Sequence, residues 1–319
     1  EQDESRDNDR VLCIIQDRYT KWLQGYPGET KSQKETKMAL QEFLGPEEKC
    51  KYCYSDNSKE IKGACMDLGL SHDTSVPHRS ETNGVAENAV RKVKEGTSCV
   101  LSQSGLADVW WKEATRCFCF LRCIHDTMVH GKTPYEAKFK EPFRGPTIPF
   151  GAHVKYVPQT KDEKRRLHQM SEKTLPGIFA GYKQRAGGGW TGELLIIDWD
   201  NINEVSTVGQ VHVRDIPAGE VFLELVNEKF HFPLAAGELN QPGEKSSEIR
   251  KRKLKKKRKQ DHEEETERKI EEQQAEIARL KAEQRKEDLP TTTTDFWTCN
   301  GFYLTRHHQT PRTDLYTPT

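Results

Sequence analysis

Between residues 11 and 126 the chain switches repeatedly between two hydrophobic periods, and that alternation restricts it to a mixed α/β fold. Short apolar runs at 11–16, 21–26, 51–55 and 71–76 read as strands, the first two forming a hairpin. Between and after them, 31–44, 59–68, 83–103 and 107–126 carry helical periodicity. Gly96 lies inside the third helix, costs about 1 kcal/mol relative to Ala there, and is expected to mark a bend. The fourth helix carries Trp110, Trp111, Phe118, Phe120, Leu121 and Ile124, a stripe suited to core packing, with Cys117, Cys119 and Cys123 as small hydrophobes among them. After a helical turn at 133–139 and a Pro/Gly-rich stretch at 141–151 the pattern changes. Short apolar runs at 152–157, 175–182, 192–198 and 211–214, separated by Gly, Asp and Asn turns, predict a small antiparallel barrel.

Composition bounds how much of the chain can be core. With 319 residues there is room for two domains, or for one domain with tails, and 34% hydrophobic against 31% charged content leaves much of it uncovered. The net charge of zero sums nine Lys/Arg in 250–259 with an acidic excess just after them. That basic run suits a nuclear-import signal or a non-specific DNA arm. In the Glu/Lys/Gln/Arg/Ala stretch that follows the basic run, up to residue 288, apolar residues recur at Ile270, Ile277 and Leu280, a heptad for little more than one repeat, so a solvated helix is expected rather than a coiled coil. Residues 1–10 contain no apolar residue and read as a charged loop, and 291–319 offers no mechanism. No apolar run approaches the roughly 18 residues of a membrane span. Nine scattered cysteines suggest reduced thiols. Cys50 and Cys53 have the Cys-x-x-Cys spacing of zinc and redox sites, but no second pair follows at ligand spacing, so they read as incidental; His307 and His308 read as part of a polar tail.

Two carboxylates stand out. Asp56 ends the strand at 51–55, and Glu87 opens the third helix just after the Asn83-Gly84 turn. A strand end and a helix first turn can converge at a sheet edge, where hard divalent cations find oxygen ligands. Along the helix, Val85, Ala89, Val93 and Val100 mark an apolar face, while Glu87, Arg91 and Lys94 fall on the polar one. That face offers a carboxylate for metal and two cations for phosphate.

Several segments together resemble the integrase of copia-type retrotransposons, a relative of retroviral integrases. They are Ser55-Asp56-Asn57-Ser58-Lys59-Glu60, Val76-Pro77-His78, Asn83-Gly84-Val85-Ala86-Glu87, Gly131-Lys132-Thr133-Pro134-Tyr135-Glu136 and Gly177-Ile178-Phe179-Ala180-Gly181-Tyr182. The resemblance implies a partial ribonuclease H-like core at 11–140, an SH3-like module at 141–228, a charged linker and helix at 229–290, and a tail at 291–319. It maps the second catalytic Asp to Asp56 and the catalytic Glu to Glu87, with thirty residues between them (57–86), fewer than the family's usual spacing. A shortened helix at 59–68 accounts for the deficit. Where the family has Pro-Gln-Gln before Asn-Gly, this chain has Arg79-Ser80-Glu81-Thr82. Asp17, before Arg18-Tyr19-Thr20, maps to a turn between strands, which assigns the first catalytic Asp and the zinc-binding His-His-Cys-Cys domain to polypeptide upstream of residue 1.

The implied chemistry is metal-dependent trimming of a DNA 3' end by water, then strand transfer with the 3'-hydroxyl as nucleophile. Two Mg2+ or Mn2+ ions about 3.5 to 4 Å apart would stabilise the attacking and leaving oxygens. Asp56 and Glu87 would hold the metal, and Arg91 and Lys94, with His78 and Arg79, would contact DNA phosphates. Element ends and target DNA are the implied partners, with a homo-oligomer in the intact protein, no membrane, and nuclear residence after a cytoplasmic particle stage. In the barrel, Lys161, Lys164, Arg165, Arg166 and Lys173 are balanced between solvated surface and a DNA-backbone contact. The alternative is a truncated or decayed element that binds DNA without catalysis, this chain being inactive as given. Without the first catalytic strand, a gap or a different pairing is expected between the strands at 11–16 and 51–55.

Overall fold

The computed structural model describes residues 4–75, 84–205, 207–241 and 268. The chain divides into two units, Glu1–Lys251 and Arg252–Thr319, and among the described residues every strand lies in the first. His78, Arg79, Asn83, the basic run, the charged helix at 241–288 beyond Gln241 and Arg268, and the tail with its His pair lie outside the described residues.

Strand β1 (Val11–Gln16) pairs antiparallel with β2 (Leu23–Gly28), from Val11 opposite Gly28 to Gln16 opposite Leu23. Helix α1 (Gln33–Leu44) follows; Ser32 caps it by accepting from the Glu35 amide at 3.3 Å, and Ala39, Leu40 and Phe43 form its buried face. Strand β3 (Cys53–Ser55), helix α2 (Lys59–Asp67) and strand β4 (His72–Thr74) then make a parallel crossover unit. β1 and β2 form one two-stranded sheet and β3 and β4 another, so the expected interruption between residues 11–16 and 51–55 is present. β3 and β4 are only three residues each, shorter than the runs at 51–55 and 71–76 suggest, as befits strands paired on one side alone.

Helix α3 (Gly84–Ser104) runs through Gly96 as one 21-residue element. The glycine's role is close packing: a Cβ there would lie 1.9 Å from the Phe118 ring of the next helix. The buried stripe is Ala89, Val93, Thr97, Leu101 and Ser104, whereas Val85, read as apolar face, is exposed. Helix α4 (Trp111–His125) follows a 3-10 turn at Asp108–Trp110. It packs on α3, where the Thr97 and Thr115 hydroxyls lie 3.1 Å apart, and buries Cys117, Cys119 and Cys123 as expected of small hydrophobes. Thr133 caps the short helix α5 (Pro134–Phe139).

The larger remaining strands are β5 (His153–Tyr156), β6 (Leu175–Gln184), β7 (Trp190–Asp198), β8 (Val213–Pro217) and β9 (Val221–Leu223), and the two-residue strands Leu225–Val226 and Lys229–Phe230 form a small pair of their own. β5 to β9 form an antiparallel five-stranded sheet of order β8-β7-β6-β5-β9. Short helices α6 (Lys161–Arg165) and α7 (Trp199–Glu204) fill its connections. One hydrophobic core runs from the β1–β2 hairpin through α4 into this sheet. Its centre is aromatic: fully buried Trp22 meets Phe120 edge-on at 6.3 Å and Phe139 at 5.3 Å, and Phe120 lies 4.6 Å from Tyr182 on β6.

Residues 4–10 are docked rather than a detached loop. The Arg6 amide donates to the Val109 carbonyl at 2.8 Å, its guanidinium lies 4.5 Å over Trp110, and the Arg10 amide donates to Gly28. A closer lock joins α1 to the β6–β7 turn. The Gly187 amide donates to the Glu42 carbonyl at 2.7 Å, and Gly45, at φ 66° and ψ −170°, has room for no Cβ because Gly187 backbone atoms would lie 2.8 Å away. Gly45→Ala is expected to lose at least about 1–3 kcal/mol from the backbone conformation alone. Gly69→Ala, also at positive φ but facing open space, should cost less, as urea denaturation will resolve.

Candidate carboxylate site

Asp56 follows the last residue of β3 directly, so the strand fixes its Cα. Its carboxylate is exposed, and Oδ1 accepts a long 3.4 Å bond from the Ser58 amide at the start of α2. Glu87 sits in the first turn of α3, exposed, where the helix N-terminus favours negative charge. Arg91 and Lys94 follow on the same exposed face. The Arg91 guanidinium donates to Asn88 Oδ1 at 2.9 Å and pairs with Glu95 at 3.3 Å. Such an exposed i,i+4 pair is worth at most about 1 kcal/mol, so a phosphate can displace it.

Asp17 occupies the β1–β2 turn. Its carboxylate accepts from the Thr20 amide at 2.8 Å, from the Thr20 hydroxyl and from the Tyr19 amide at 3.3 Å. Partial burial works to raise its pKa, but these hydrogen bonds, with the Lys138 charge, outweigh it and hold the group below the ordinary carboxylate range. It is a turn-forming residue, as its position before Arg18-Tyr19-Thr20 implies. Among the described residues, Asp17, Asp56 and Glu87 join no group of three ligating side chains converging within 4.8 Å. The one such group among the described residues is Cys53, Cys65 and His72. The sequence hides it because its members come from a strand, a helix and a second strand, and Cys65 and His72 do not show the short spacing of a finger.

Of the basic residues at 161–173, Arg166 is committed to the protein itself. Arg166 pairs with Asp198 at 3.0 Å and also with Asp200, while Arg214 pairs with Glu163. The Tyr156 hydroxyl donates to Glu163 at 3.0 Å and is also bonded to Asp198, both carboxylates being buried. Arg165 pairs with Asp162, and Lys173 donates to the His168 and Gln169 carbonyls. Arg166 thus closes a buried network rather than standing free on the surface. Burial of two carboxylates demands paired cations.

A cavity of about 410 Å³ opens between the docked N-terminal stretch, α4 and the sheet, with Arg6, Lys112, Glu113, Arg116 and Lys183 on its wall. Burial pushes Glu113 up to about 7, against the lowering effect of Arg6. The charges of 1–10 gave no sign of it, because only docking on α4 desolvates them.

No family model matches the chain. It is similar to retrovirus-related Pol polyproteins: 26% identical over 185 residues to that of transposon RE2 of Arabidopsis thaliana, covering 56% of this chain and 12% of the relative. It is 33% identical over 116 residues to that of transposon RE1 of the same plant (34% and 8%), and 28% over 150 residues to that of transposon TNT 1-94 of Nicotiana tabacum (42% and 10%). These homologues are Pol polyproteins of copia-type transposons, and the chain spans about a tenth of their length. Among solved structures, a BIV integrase catalytic core aligns over 44% of this chain and 91% of its own, at 17% identity and TM-score 0.33. A simian T-cell lymphotropic virus intasome in complex with a PP2A regulatory subunit aligns over 67% and 72%, at 14% identity and TM-score 0.35.

The depressed Asp17 carboxyl fixes the sign of a pH effect. A group whose folded value lies below its unfolded one contributes fully above the unfolded value and loses that contribution as pH falls through the folded value. The stability difference between the parent chain and Asp17→Ala should therefore be largest above the ordinary carboxylate value of 3.8 and shrink below it. Denaturation midpoints between neutral pH and pH 3 provide the measurement, and a difference that grows on acidification would contradict the turn role.

Proposed function

We propose that this chain is part of the integrase region of a retrotransposon Pol polyprotein and acts, in the intact protein, in metal-dependent 3'-end processing and strand transfer of DNA. The observation that carries the proposal is the similarity to Pol polyproteins in a chain whose strand-end Asp56 and first-turn Glu87 are both exposed. Asp56 and Glu87 are carboxylates of the kind that hold Mg2+ or Mn2+, which take oxygen ligands. When bound, such ions lower the pKa of the attacking hydroxyl or water and offset charge on the leaving oxygen. The chain's own part is to present the two carboxylates and, from Arg91 and Lys94 one and two turns along α3, to steady a DNA end through its phosphates. His78 and Arg79 are assigned the same role. The third carboxylate is assigned to a strand seated between the open edges of β1 and β3. The sheet β5–β9 is assigned as the SH3-like module, DNA ends and target DNA as partners, a homo-oligomer as the working form, and the nucleus as the site of action.

A second reading, DNA binding retained without catalysis, draws support from the split sheets and from the absence of a three-carboxylate group among the described residues. Assays on a chain extended upstream separate the two. On the first reading Glu87→Gln abolishes strand transfer with an unchanged melting temperature, since the residue is exposed; full activity would remove Glu87 from the site. Replacing Arg91 and Lys94 together by Ala should weaken DNA-end binding and flatten its log–log salt dependence by roughly one unit per lost phosphate contact. An unaltered slope returns both to plain surface. DNA binding by an extended parent that never transfers strands is the outcome the second reading requires.

A further inference from the structure

Cys53 on β3 and His72 on β4 are register partners of the parallel pair. Residues so paired project from the same face of the sheet. Cys65 on α2, almost wholly buried, rises over that face, and one ligating atom from each of the three lies within 4.8 Å of the others. Around a tetrahedral zinc with Zn–S bonds near 2.3 Å, neighbouring sulfurs sit roughly 3.8 Å apart, so side-chain adjustments suffice to close the set. Ser55 Oγ lies 2.8 Å from the Asp56 carbonyl, to which it can donate, and 2.9 Å from His72 Nε2. In the tautomer with the hydrogen on Nε2, Ser55 accepts from the ring, Nδ1 keeps its lone pair for a metal, and Ser55 is the outer partner that orients the histidine. Cys50 lies three residues before Cys53, at the Cys-x-x-Cys spacing of zinc sites.

We infer that Cys53, Cys65 and His72, with Cys50 as fourth ligand, form a structural zinc site that clamps β3, α2 and β4 together. The pattern Cys-x2-Cys-x11-Cys-x6-His supplies the second ligand pair that the spacing of Cys50 and Cys53 lacks when read along the sequence. Three thiolates and an imidazole select zinc over the hard ions of a carboxylate site. The site has something to hold. β3 and β4 make an isolated two-stranded sheet three residues long, a unit that is marginal by itself. Its apolar support is the small cluster of Leu40, Ala64 and Cys65 with its neighbours. Asp56 begins where β3 ends, so the clamp fixes the carboxylate's anchor through the backbone and Ser55. The zinc inference stands without the integrase reading.

Metal analysis of the full chain, purified under reducing conditions from zinc-supplemented medium, tests it. One zinc per chain is expected, and replacement by Co2+ should give a thiolate-to-cobalt charge-transfer band with the intense visible bands of tetrahedral cobalt. Cys53→Ser, Cys65→Ser and His72→Ala should each weaken zinc affinity at least tenfold, while Cys99→Ser, an exposed thiol outside the cluster, should not. A chain without zinc whose Co2+ spectrum shows no thiolate band, or a Cys53–Cys65 disulfide found by mass spectrometry under those conditions, would overturn the site. Because the cobalt spectrum is taken on the unaltered chain, misfolding of a variant does not blunt the test. Unchanged zinc affinity in Cys50→Ser would overturn the assignment of the fourth ligand.

Discussion

The contact on which most of the structure depends is the stack around Phe120. Its ring lies 6.3 Å from Trp22 on the loop into β2, 6.0 Å from Tyr135 on α5, 5.5 Å from Phe143 and 4.6 Å from Tyr182 on β6. Each of these residues belongs to a different stretch of chain, so one side chain of α4 joins the hairpin, the short helix and the large sheet. Aromatic side chains bury about 150–250 Å² each, and edge-on pairs add further attraction. The surrounding glycines show how little slack remains: a Cβ on Gly188 would meet the Trp22 ring at 2.5 Å. The hairpin and the sheet therefore share one core.

The β3–α2–β4 unit is outside that aromatic stack. It leans on α1 through Leu40, Ala64 and Cys65, and Ile15 of β1 packs against the same small cluster. Among the described residues, β1 and β3 each pair along one edge and not the other. Position within the unit is thus set by few apolar contacts, while Asp56 at its tip is the carboxylate on which the proposed chemistry turns. The proposed zinc site at Cys53 and the proposed carboxylate site at Asp56, three residues on, would divide the work by chemistry: one would hold backbone, the other would hold the ion that meets the phosphodiester.

Charge follows a similar division. The cations nearest the large sheet serve buried carboxylates, because Glu163 and Asp198 lose water and need Arg214 and Arg166 beside them. On α3 the cations stay in solvent with weak partners, which leaves them available to a polyanion.

Local pattern determined the elements. Periodicity and turn residues placed the hairpin, α1, α2, α3, α4 and β5 to β8 of the large sheet within a few residues, because each depends mainly on which side chains recur on one face, whereas the three-residue edge strand β9 carries no period to read. The resemblance also placed Asp17 in a turn, where a short side chain bonding its neighbours' amides is a local event. Pairing across distance was decided only by the tertiary structure. Gly96 reads as a bend until Phe118 of another helix claims the space above it, Arg166 reads as a surface cation until Asp198 is buried beside it, and Cys53 reads as incidental until β4 and α2 bring His72 and Cys65 to it. Such contacts join residues whose separation along the chain carries no period. The sequence names the groups, and the packing of separate elements decides which of them lose water together.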